Sequence, residues 1–209
     1  MAAGVNEAAA VARAIAALRA GAAVLLPTDT VYGLCADAGS ETAARAAYAL
    51  KGRSGAQPTA LLAAGVEQLL ECLPELPGDA ARVCRALLPG PFTLVLPNPA
   101  HRYPWLTGSR PETIGVRVAA LPPSAQAVLD AVGCVLATSA NDPGDAAPAT
   151  LDAIPARLRA ACGAELDVGP LPGTASTVVD VSGDEPVVLR AGLVPAGEAL
   201  ARVAAALGG

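Results

Sequence analysis

Two cations flank a glycine at the predicted end of a helix. Ser40 is a favourable N-cap and Gly52 a favourable C-terminal residue, so the sequence predicts a helix between them. Lys51 and Arg53 then lie at its C-terminus and just beyond it. They could bind a polyphosphate, because lysine is a mobile point charge and arginine a planar fork that can bind two oxygens. The alternative is that both residues only complement the helix dipole.

The stretch PTDTVYGL (27–34) follows an apolar run, Ala22 to Leu26. The run predicts a buried strand that stops at Pro27, because proline has no N–H for the ladder. We interpret the stretch as a loop that presents two threonine hydroxyls, a carboxylate and a phenol where open α/β sheets bind ligands. The alternative is a polar turn in which Asp29 bonds its own backbone.

Arg117 lies on a predicted strand, 113–118. Alternation puts its side chain on the same face as Thr113 and Gly115. A charged side chain on a sheet face is costly unless it meets an anion. An edge-strand arginine that reaches solvent is the alternative.

Ser139 and Asn141 come directly after the apolar run 134–138, which predicts a central strand. Their hydroxyl and amide could bind a nucleotide or an amino acid on the ligand side of the sheet. Serine and asparagine also favour caps and turns, so a purely structural pair is the alternative.

The elements that carry these residues do not alternate strictly as β-α-β units. The predicted strands are 22–26, 59–63, 92–96, 113–118, 134–138, 176–180 and 187–189. The predicted helices are 6–20, 40–50, 66–73, 79–88, 124–132, 151–161 and 196–207. We therefore expect a single α/β domain over residues 1–209, with a twisted mixed sheet flanked by helices. Residues 98–112, rich in proline and long for a loop, are a possible lid.

Composition excludes several classes of protein. The chain has 209 residues, of which 53% are hydrophobic and 16% charged, so it should fold rather than remain disordered. No apolar run is long enough to span a membrane, and charges interrupt the N-terminal stretch that a signal peptide would need, so we expect a cytoplasmic protein. One histidine and five cysteines without CxxC spacing give no zinc or Ser-His-Asp pattern and predict free thiols. The net charge of −5 argues against RNA as the primary ligand.

Seven motifs together resemble the YrdC family of threonylcarbamoyl-AMP synthases, which act in tRNA modification. They are PTDTVYGL (27–34), KGR (51–53), PGPFTLVLP (89–97), TIGVRV (113–118), SAN (139–141), STVVD (176–180) and LRAG (189–192). The resemblance runs through residues 8–192 and implies the α/β fold above, with a positively lined cavity on one side.

The resemblance also implies roles for particular residues. The residues implied to bind ATP are Lys51, Arg53, Gln57, Thr113, Asn141, Thr150 and Arg190. The residues implied to bind threonine are Thr30, Arg117, Ser139 and Ser176. Lys51, Arg53, Ser139 and Asn141 would be catalytic. The chain departs from the family pattern at Leu62, at Leu121–Pro123 and at Ala149, where Thr150 is the nearest hydroxyl.

By the same resemblance, the chain would join L-threonine, bicarbonate and ATP into threonylcarbamoyl-AMP and release pyrophosphate. Mg²⁺ would be carried by ATP rather than by a protein-only site, and no organic cofactor is implied. Downstream tRNA threonylcarbamoyl-transfer proteins would be partners, and double-stranded RNA binding is a family property, although the charge predicts weak direct tRNA binding. The alternatives are a non-catalytic nucleotide- or RNA-binding paralogue and a related carbamoyl-adenylate activity in metallocentre maturation.

Overall fold

The computed structural model describes the backbone of residues 2–208 and the side chains of residues 6–208. A sheet of nine strands runs through this part of the chain in the order β7-β1-β2-β6-β3-β5-β4-β8-β9. The strands are β1 (Val24–Pro27), β2 (Tyr32–Asp37), β3 (Ala60–Ala63), β4 (Phe92–Pro97), β5 (Thr113–Arg117), β6 (Cys134–Ser139), β7 (Ala164–Glu165), β8 (Thr177–Asp180) and β9 (Val187–Arg190). Three pairs, β1–β7, β3–β5 and β4–β8, are parallel and the others are antiparallel. The predicted mixed sheet is confirmed.

Helices pack on both faces of the sheet. They are α1 (Ala2–Arg19), α2 (Glu41–Lys51), α3 (Val66–Cys72), α4 (Gly78–Leu87), α5 (Pro123–Val132), α6 (Ala156–Ala161) and α7 (Ala196–Leu207), with a short 3-10 helix at Leu151–Ala153. One apolar cluster joins α2, α4 and α7 to one face, and a smaller cluster joins α1 and α5 to the other. No helix in residues 2–208 has the length and apolar character that a membrane span needs.

The first motif is the main correction to the predicted elements. We interpreted residues 27–34 as a loop, but Tyr32 already begins β2, and Pro27 and Tyr32 face each other across a β1–β2 hairpin. Only 28–31 form the connection. The prediction was wrong here because Thr28 and Asp29 are turn residues, and they hid the strand that follows them. The first helix was also predicted too short, since it begins at Ala2 and not at residue 6.

The loop at 98–112 is attached to the rest of the fold along its length. Asn98 binds the backbone of Arg102 and of Pro111, and the Trp105 indole donates to the Ala38 carbonyl at 2.9 Å. Leu106 is fully buried. A lid would have few such contacts. The structure therefore gives no support to the prediction of a lid. Residues 98–112 form a loop that packs beside α2.

Candidate active site

One half of a sheet face is built from very small residues. Gly33 lies opposite Ser139, Ala137 lies opposite Ala60, and Ala60 lies opposite Gly115. Residues that pair directly across strands share a face, so all five belong to the same one. A methyl group added at Gly115 would come no closer than 3.6 Å to a non-neighbouring atom. This half of the face therefore leaves room for a ligand.

The other half of the same face is closed by helices. Cys35, Leu62 and Val135 belong to this face by register and pack in the apolar cluster that includes α1 and α5. Leu62 is one of the positions where the sequence departs from the pattern of the resembled family. Here it is fully buried in this cluster, which explains an apolar residue at this position.

The end of α2 turns the chain toward the open half. Ser40 caps the helix by accepting a hydrogen bond from Ala43 N at 3.2 Å. Gly52 has a left-handed backbone with φ of 65°, and the Arg53 N–H donates to the Tyr48 carbonyl at 2.9 Å. This turn is the reason for the glycine between the two cations, because a side chain is strained at that φ.

Lys51 is buried against the end of β6. Its ammonium donates to the Thr138 hydroxyl at 3.1 Å, to the Ser139 hydroxyl at 3.3 Å and to the Ser139 carbonyl. The Asn141 side-chain oxygen is 3.5 Å away. Only 5% of Lys51 is exposed. The structure therefore brings together three of the four residues predicted to be catalytic.

Arg53, the fourth, reaches the same strand end. Its Nη1 donates to the Thr138 hydroxyl at 3.0 Å and its Nη2 donates to the Pro58 carbonyl. Its Nε is buried and has no hydrogen-bond partner. A buried donor without an acceptor is costly, and a ligand oxygen would remove that cost.

These cations lack the carboxylates that would neutralise them. Within residues 6–208, no Asp or Glu oxygen lies within 4.0 Å of Lys51, Arg53 or Arg190. Burial, helped by the nearby charge of Arg53, lowers the pKa of Lys51 from its ordinary 10.5 to about 8. Uncompensated buried positive charge is the arrangement expected of an anion site. The helix-dipole alternative does not account for burial of Lys51 at this depth.

The β1–β2 connection supplies hydroxyls to the site. The Thr28 hydroxyl donates to the Val31 carbonyl at 2.7 Å and lies 3.0 Å from the Thr30 hydroxyl. Both threonines are buried. These hydrogen bonds within the connection hold the Thr30 hydroxyl next to Arg117. The Arg117 Nη2 donates to that hydroxyl at 3.2 Å.

Arg117 forms a buried ion pair with Asp29. Their side-chain atoms approach to 2.7 Å, and the side chains are 10% and 9% exposed. Asp29 also accepts from the Ala120 N–H at 3.3 Å. The edge-strand interpretation of Arg117 was wrong, since β5 lies between β3 and β4. The local-turn interpretation of Asp29 was also wrong, because its carboxylate binds a residue 88 positions away.

Arg117 keeps binding capacity despite this pair. Its Nε is buried and without a partner. Burial lowers the pKa of Arg117, the Asp29 charge opposes that effect, and the charge of Arg190 adds to it. The charge of Arg190 therefore acts on Arg117, and the positive charge in this part of the site is not confined to Lys51 and Arg53.

Ser176 and Arg190 are joined at the start of β8. Arg190 Nη2 donates to the Ser176 carbonyl at 2.8 Å and to its hydroxyl at 3.2 Å, and that hydroxyl lies 2.8 Å from the Thr93 hydroxyl. Gly192 permits this contact, because an added Cβ would lie 2.2 Å from the Ala175 carbonyl oxygen. The LRAG motif thus combines a cation with the glycine that lets it approach β8.

The remaining predicted residues lie around these groups with fewer contacts. Gln57 is exposed in the loop that Arg53 holds through Pro58. Thr113 begins β5 on the face of Gly115, two residues along the strand. Asn141 donates to the carbonyls of Asp142 and Asp145. Thr150 precedes the 3-10 helix and makes no capping hydrogen bond, so a nucleotide contact at this residue has no direct structural support.

Sequence reasoning missed two polar groups in this region as site residues. Thr138 lies between Lys51 and Arg53 and accepts from both. Thr93 hydrogen-bonds Ser176. Thr138 had a detectable signal, a hydroxyl directly before Ser139 at a strand end, whereas Thr93 had only its place in an apolar strand.

A cavity of about 350 Å³ adjoins the Asp29 side of this region and is bordered by Ala64, Val118, Ala120, Leu121 and Gln126. Its lining offers no cation, so we do not assign an anionic ligand to it. Among residues 2–208, no group of three or more His, Cys, Asp and Glu side chains could hold a metal ion.

A mixed sheet with unpaired cations and hydroxyls gathered at the ends of its strands is characteristic of a protein that binds a phosphorylated or carboxylated ligand. Comparison with known proteins narrows the class. The Sua5/YciO/YrdC family model, described as telomere recombination, matches residues 16–192. The chain belongs to this family.

Individual relatives agree with the family assignment. A Mycobacterium leprae protein provisionally named threonylcarbamoyl-AMP synthase is 35% identical over 199 residues, covering 95% of this chain and 88% of that protein. A Halorhodospira halophila threonylcarbamoyl-AMP synthase is 40% identical over 131 residues, covering 63% of this chain and 68% of that protein. The structure of Pyrococcus abyssi Sua5 complexed with L-threonine matches with a TM-score of 0.83 and 31% identity. That match covers 95% of this chain, which spans 57% of the archaeal chain.

Proposed function

We propose that this protein is a threonylcarbamoyl-AMP synthase, which converts L-threonine, bicarbonate and ATP into threonylcarbamoyl-AMP, pyrophosphate and water. One observation carries the proposal. Lys51 and Arg53 are cations without a carboxylate partner in the described residues, and they face hydroxyls at a strand end. The names of the relatives and the threonine-bound neighbour support the same activity.

Lys51 and Arg53 bind the phosphates of ATP in this proposal. The unpaired Nε of Arg53 supplies a donor, and both charges offset the negative charge that grows on the leaving pyrophosphate. Asn141, Gln57, Thr113, Thr150 and Arg190 contact the nucleotide, with Thr150 the least supported of the five. Ser139 lies beside Lys51 and can hold the reacting carbamate near the phosphates.

Threonine lies between the hairpin and β8. Arg117, through its free Nε, is suited to the amino-acid carboxylate. Thr30, Ser139 and Ser176 offer hydroxyls to the polar groups of the substrate. Asp29 keeps the Arg117 guanidinium oriented while Arg117 binds the carboxylate.

The chemistry needs positioning more than a protein nucleophile. The threonine amine forms a carbamate with bicarbonate, a carbamate oxygen attacks the α-phosphorus, and the bond to pyrophosphate breaks. The site has to hold the attacking oxygen in line with the leaving group. Its own contribution is the orientation by Arg117 and Ser139 and the charge neutralisation by Lys51 and Arg53.

Mg²⁺ is proposed as the ion carried by ATP, where it would neutralise phosphate oxygens. The donor set fits this role. The described residues offer hydroxyl and amide oxygens near the cations, and two carboxylates of this region, Asp29 and Asp142, are engaged by Arg117 and Arg157.

The partners and location are part of the proposal. Threonylcarbamoyl-AMP is a mixed anhydride that an acyl-transfer protein must consume to modify tRNA, and ATP and tRNA are cytoplasmic. Direct tRNA affinity should be weak and should fall steeply with salt, because the net charge is −5. Tight tRNA binding at physiological salt, without synthesis, would favour a nucleotide- or RNA-binding paralogue instead.

Steady-state pyrophosphate release with threonine, serine and valine tests the substrate assignment. Valine should be rejected strongly, because the hydroxyls that meet the threonine side chain would be left unpaired. Serine loses only a methyl contact, worth about 1–3 kcal/mol in a fitted pocket. Omitting bicarbonate is the control for the background rate. Turnover of valine as fast as threonine would contradict the threonine assignment.

A further inference from the structure

Two cysteines far apart in sequence meet at the end of β6 opposite to Ser139. Cys72 is the last residue of α3, Cys134 is the first residue of β6, and their Sγ atoms are 3.9 Å apart. A disulfide bond is about 2.05 Å long, so the sulfurs must approach by less than about 2 Å to join. We propose that Cys72 and Cys134 are a redox modification site that a hydroperoxide converts into a reversible disulfide. The proposal is independent of the synthase activity.

Cys72 and Cys134 both lie at the end of a secondary-structure element, where the backbone can shift slightly. Leu73, directly after Cys72, has left the helical conformation with φ of −131°. Gly133, directly before Cys134, has φ of 89°. Cys134 pairs with Ala63 at the last register position between β3 and β6. Closing the bond therefore moves two element ends and leaves the interior of the sheet intact.

The thiols of Cys72 and Cys134 are more accessible to solvent than those of Cys35 and Cys84. Cys35 and Cys84 are fully buried, whereas Cys72 and Cys134 are half-buried. Cys134 also borders a cavity of about 160 Å³ next to Asp37. A molecule as small as hydrogen peroxide can reach such a site.

The surroundings favour a thiolate on one sulfur of the pair. The hydrogen bond between Cys72 and Cys134 lowers the pKa of Cys72, burial raises it, the Tyr103 hydroxyl lowers it, and Glu71 and Arg102 act in opposite directions. The pKa of Cys134 is raised, first by its hydrogen bond to Cys72 and then by burial, with Asp37 adding to the rise. The opposite pKa shifts favour a thiolate at Cys72 beside a protonated thiol at Cys134. A pair that reacts with peroxide requires this arrangement.

The reaction balances with one peroxide for each pair. The Cys72 thiolate attacks one oxygen, the O–O bond breaks, and protonation of the leaving hydroxide gives a sulfenic acid and water. The Cys134 sulfur then displaces the sulfenic hydroxyl as a second water and forms the S–S bond. The two sulfurs give up two electrons in total, and the peroxide takes them.

Peptide mapping of the full chain tests the proposal without any variant. Each of the five cysteines lies in a different tryptic peptide, with Cys72 in 54–82 and Cys134 in 118–157. After treatment with hydrogen peroxide at pH 7 and alkylation of the remaining thiols, these two peptides should be cross-linked, and a thiol reductant should release them. Oxidation that leaves them unlinked, or that links other pairs equally, would overturn the proposal.

Variants then separate the two steps. Cys162→Ser removes a half-buried cysteine outside the pair and should leave the cross-link and its rate unchanged. Cys134→Ser should stop oxidation at the sulfenic acid of Cys72, which dimedone would trap. Equal dimedone labelling of Cys72 in the wild type and in Cys134→Ser would contradict a role for Cys134 as the resolving thiol.

Discussion

Arg117 and the Lys51–Arg53 pair differ in how their positive charges are balanced. Arg117 is paired inside the protein with Asp29 at 2.7 Å. Within residues 6–208, the acceptors of Lys51 and Arg53 are neutral oxygens of Thr138, Ser139, Asn141 and Pro58. The folded chain thus supplies a counter-charge for Arg117 and none for Lys51 and Arg53.

This difference indicates a division of labour. A cation that has its own carboxylate can be held in a defined orientation, which suits recognition of a small substrate such as an amino acid. Cations without one carry an unfavourable burial cost that an anionic ligand can offset, which suits binding of polyphosphate. Substitution of the two groups of cations should therefore have different effects on activity, on stability and on pH dependence.

The largest expected effect is on catalysis at the unpaired cations. Lys51→Ala and Arg53→Ala should each remove roughly 2–4 kcal/mol of transition-state stabilisation, because each deletes a charge-assisted phosphate contact. That corresponds to about a 30- to 1,000-fold slower release of pyrophosphate. Arg45→Ala, on the exposed face of the same helix where it pairs with Glu41, is the matched control and should retain activity. Near wild-type rates in both site variants would remove Lys51 and Arg53 from the chemistry.

Stability should respond with a different sign in the two groups. Arg117→Met leaves the buried Asp29 carboxylate unpaired and should lower the free energy of unfolding by about 3–5 kcal/mol. Lys51→Met removes a buried charge that has no acidic partner, so the free energy of unfolding should stay the same or rise. Urea denaturation of the ligand-free variants measures both. Adding Asp29→Leu to Arg117→Met should recover part of the loss, and additivity of the two changes would contradict the coupled pair.

The pH dependence should come from Lys51. Its pKa is lowered by burial from 10.5 to about 8, so between these values the unfolded chain binds more protons than the folded one. Stability of the ligand-free protein should therefore rise with pH across this window, by about 3 kcal/mol in all. Over the same range phosphate binding should weaken, because Lys51 loses its charge. Lys51→Met should abolish the rise in stability, and an unchanged rise would assign it to another group.

The smallest expected effect concerns space on the sheet face. Gly115→Ala adds a methyl group that meets no non-neighbouring atom within 3.6 Å, so the variant should fold normally. It should weaken substrate binding by about 1–3 kcal/mol if the ligand lies over this part of the face, as for one methyl group in a fitted pocket. Gly183→Ala, in an exposed turn with nothing within 4 Å, is the control. Unchanged Michaelis constants would mean that the ligand does not cover Gly115.

Residues that are close in sequence were predictable, and residues that only the fold brings together were not. The end of α2 and the cation pair were both predictable from Lys51, Gly52 and Arg53, because capping and charge are local properties of the sequence. Asp29 and Arg117 are 88 positions apart, and their pairing depends on how the hairpin crosses the sheet face. No spacing rule reveals such a contact.

The cysteine pair at the opposite end of β6 shows the same limit of sequence-based prediction. Their spacing excluded a CxxC motif, yet Cys72 and Cys134 meet because α3 follows β3 and β3 pairs with β6. The strand that begins at Tyr32 was missed for a different reason, which is local. The turn residues just before it led us to interpret the whole motif as a loop.

The most direct measurement is the fate of labelled bicarbonate. Purified protein is incubated with ATP, L-threonine and ¹⁴C-bicarbonate, and the adenylate is separated before acid treatment. The wild type should form an acid-labile product that contains label, threonine and AMP, with one pyrophosphate released for each product, and Arg53→Ala should form almost none. Pyrophosphate or AMP released without incorporation of label, or equal incorporation by Arg53→Ala, would contradict the account.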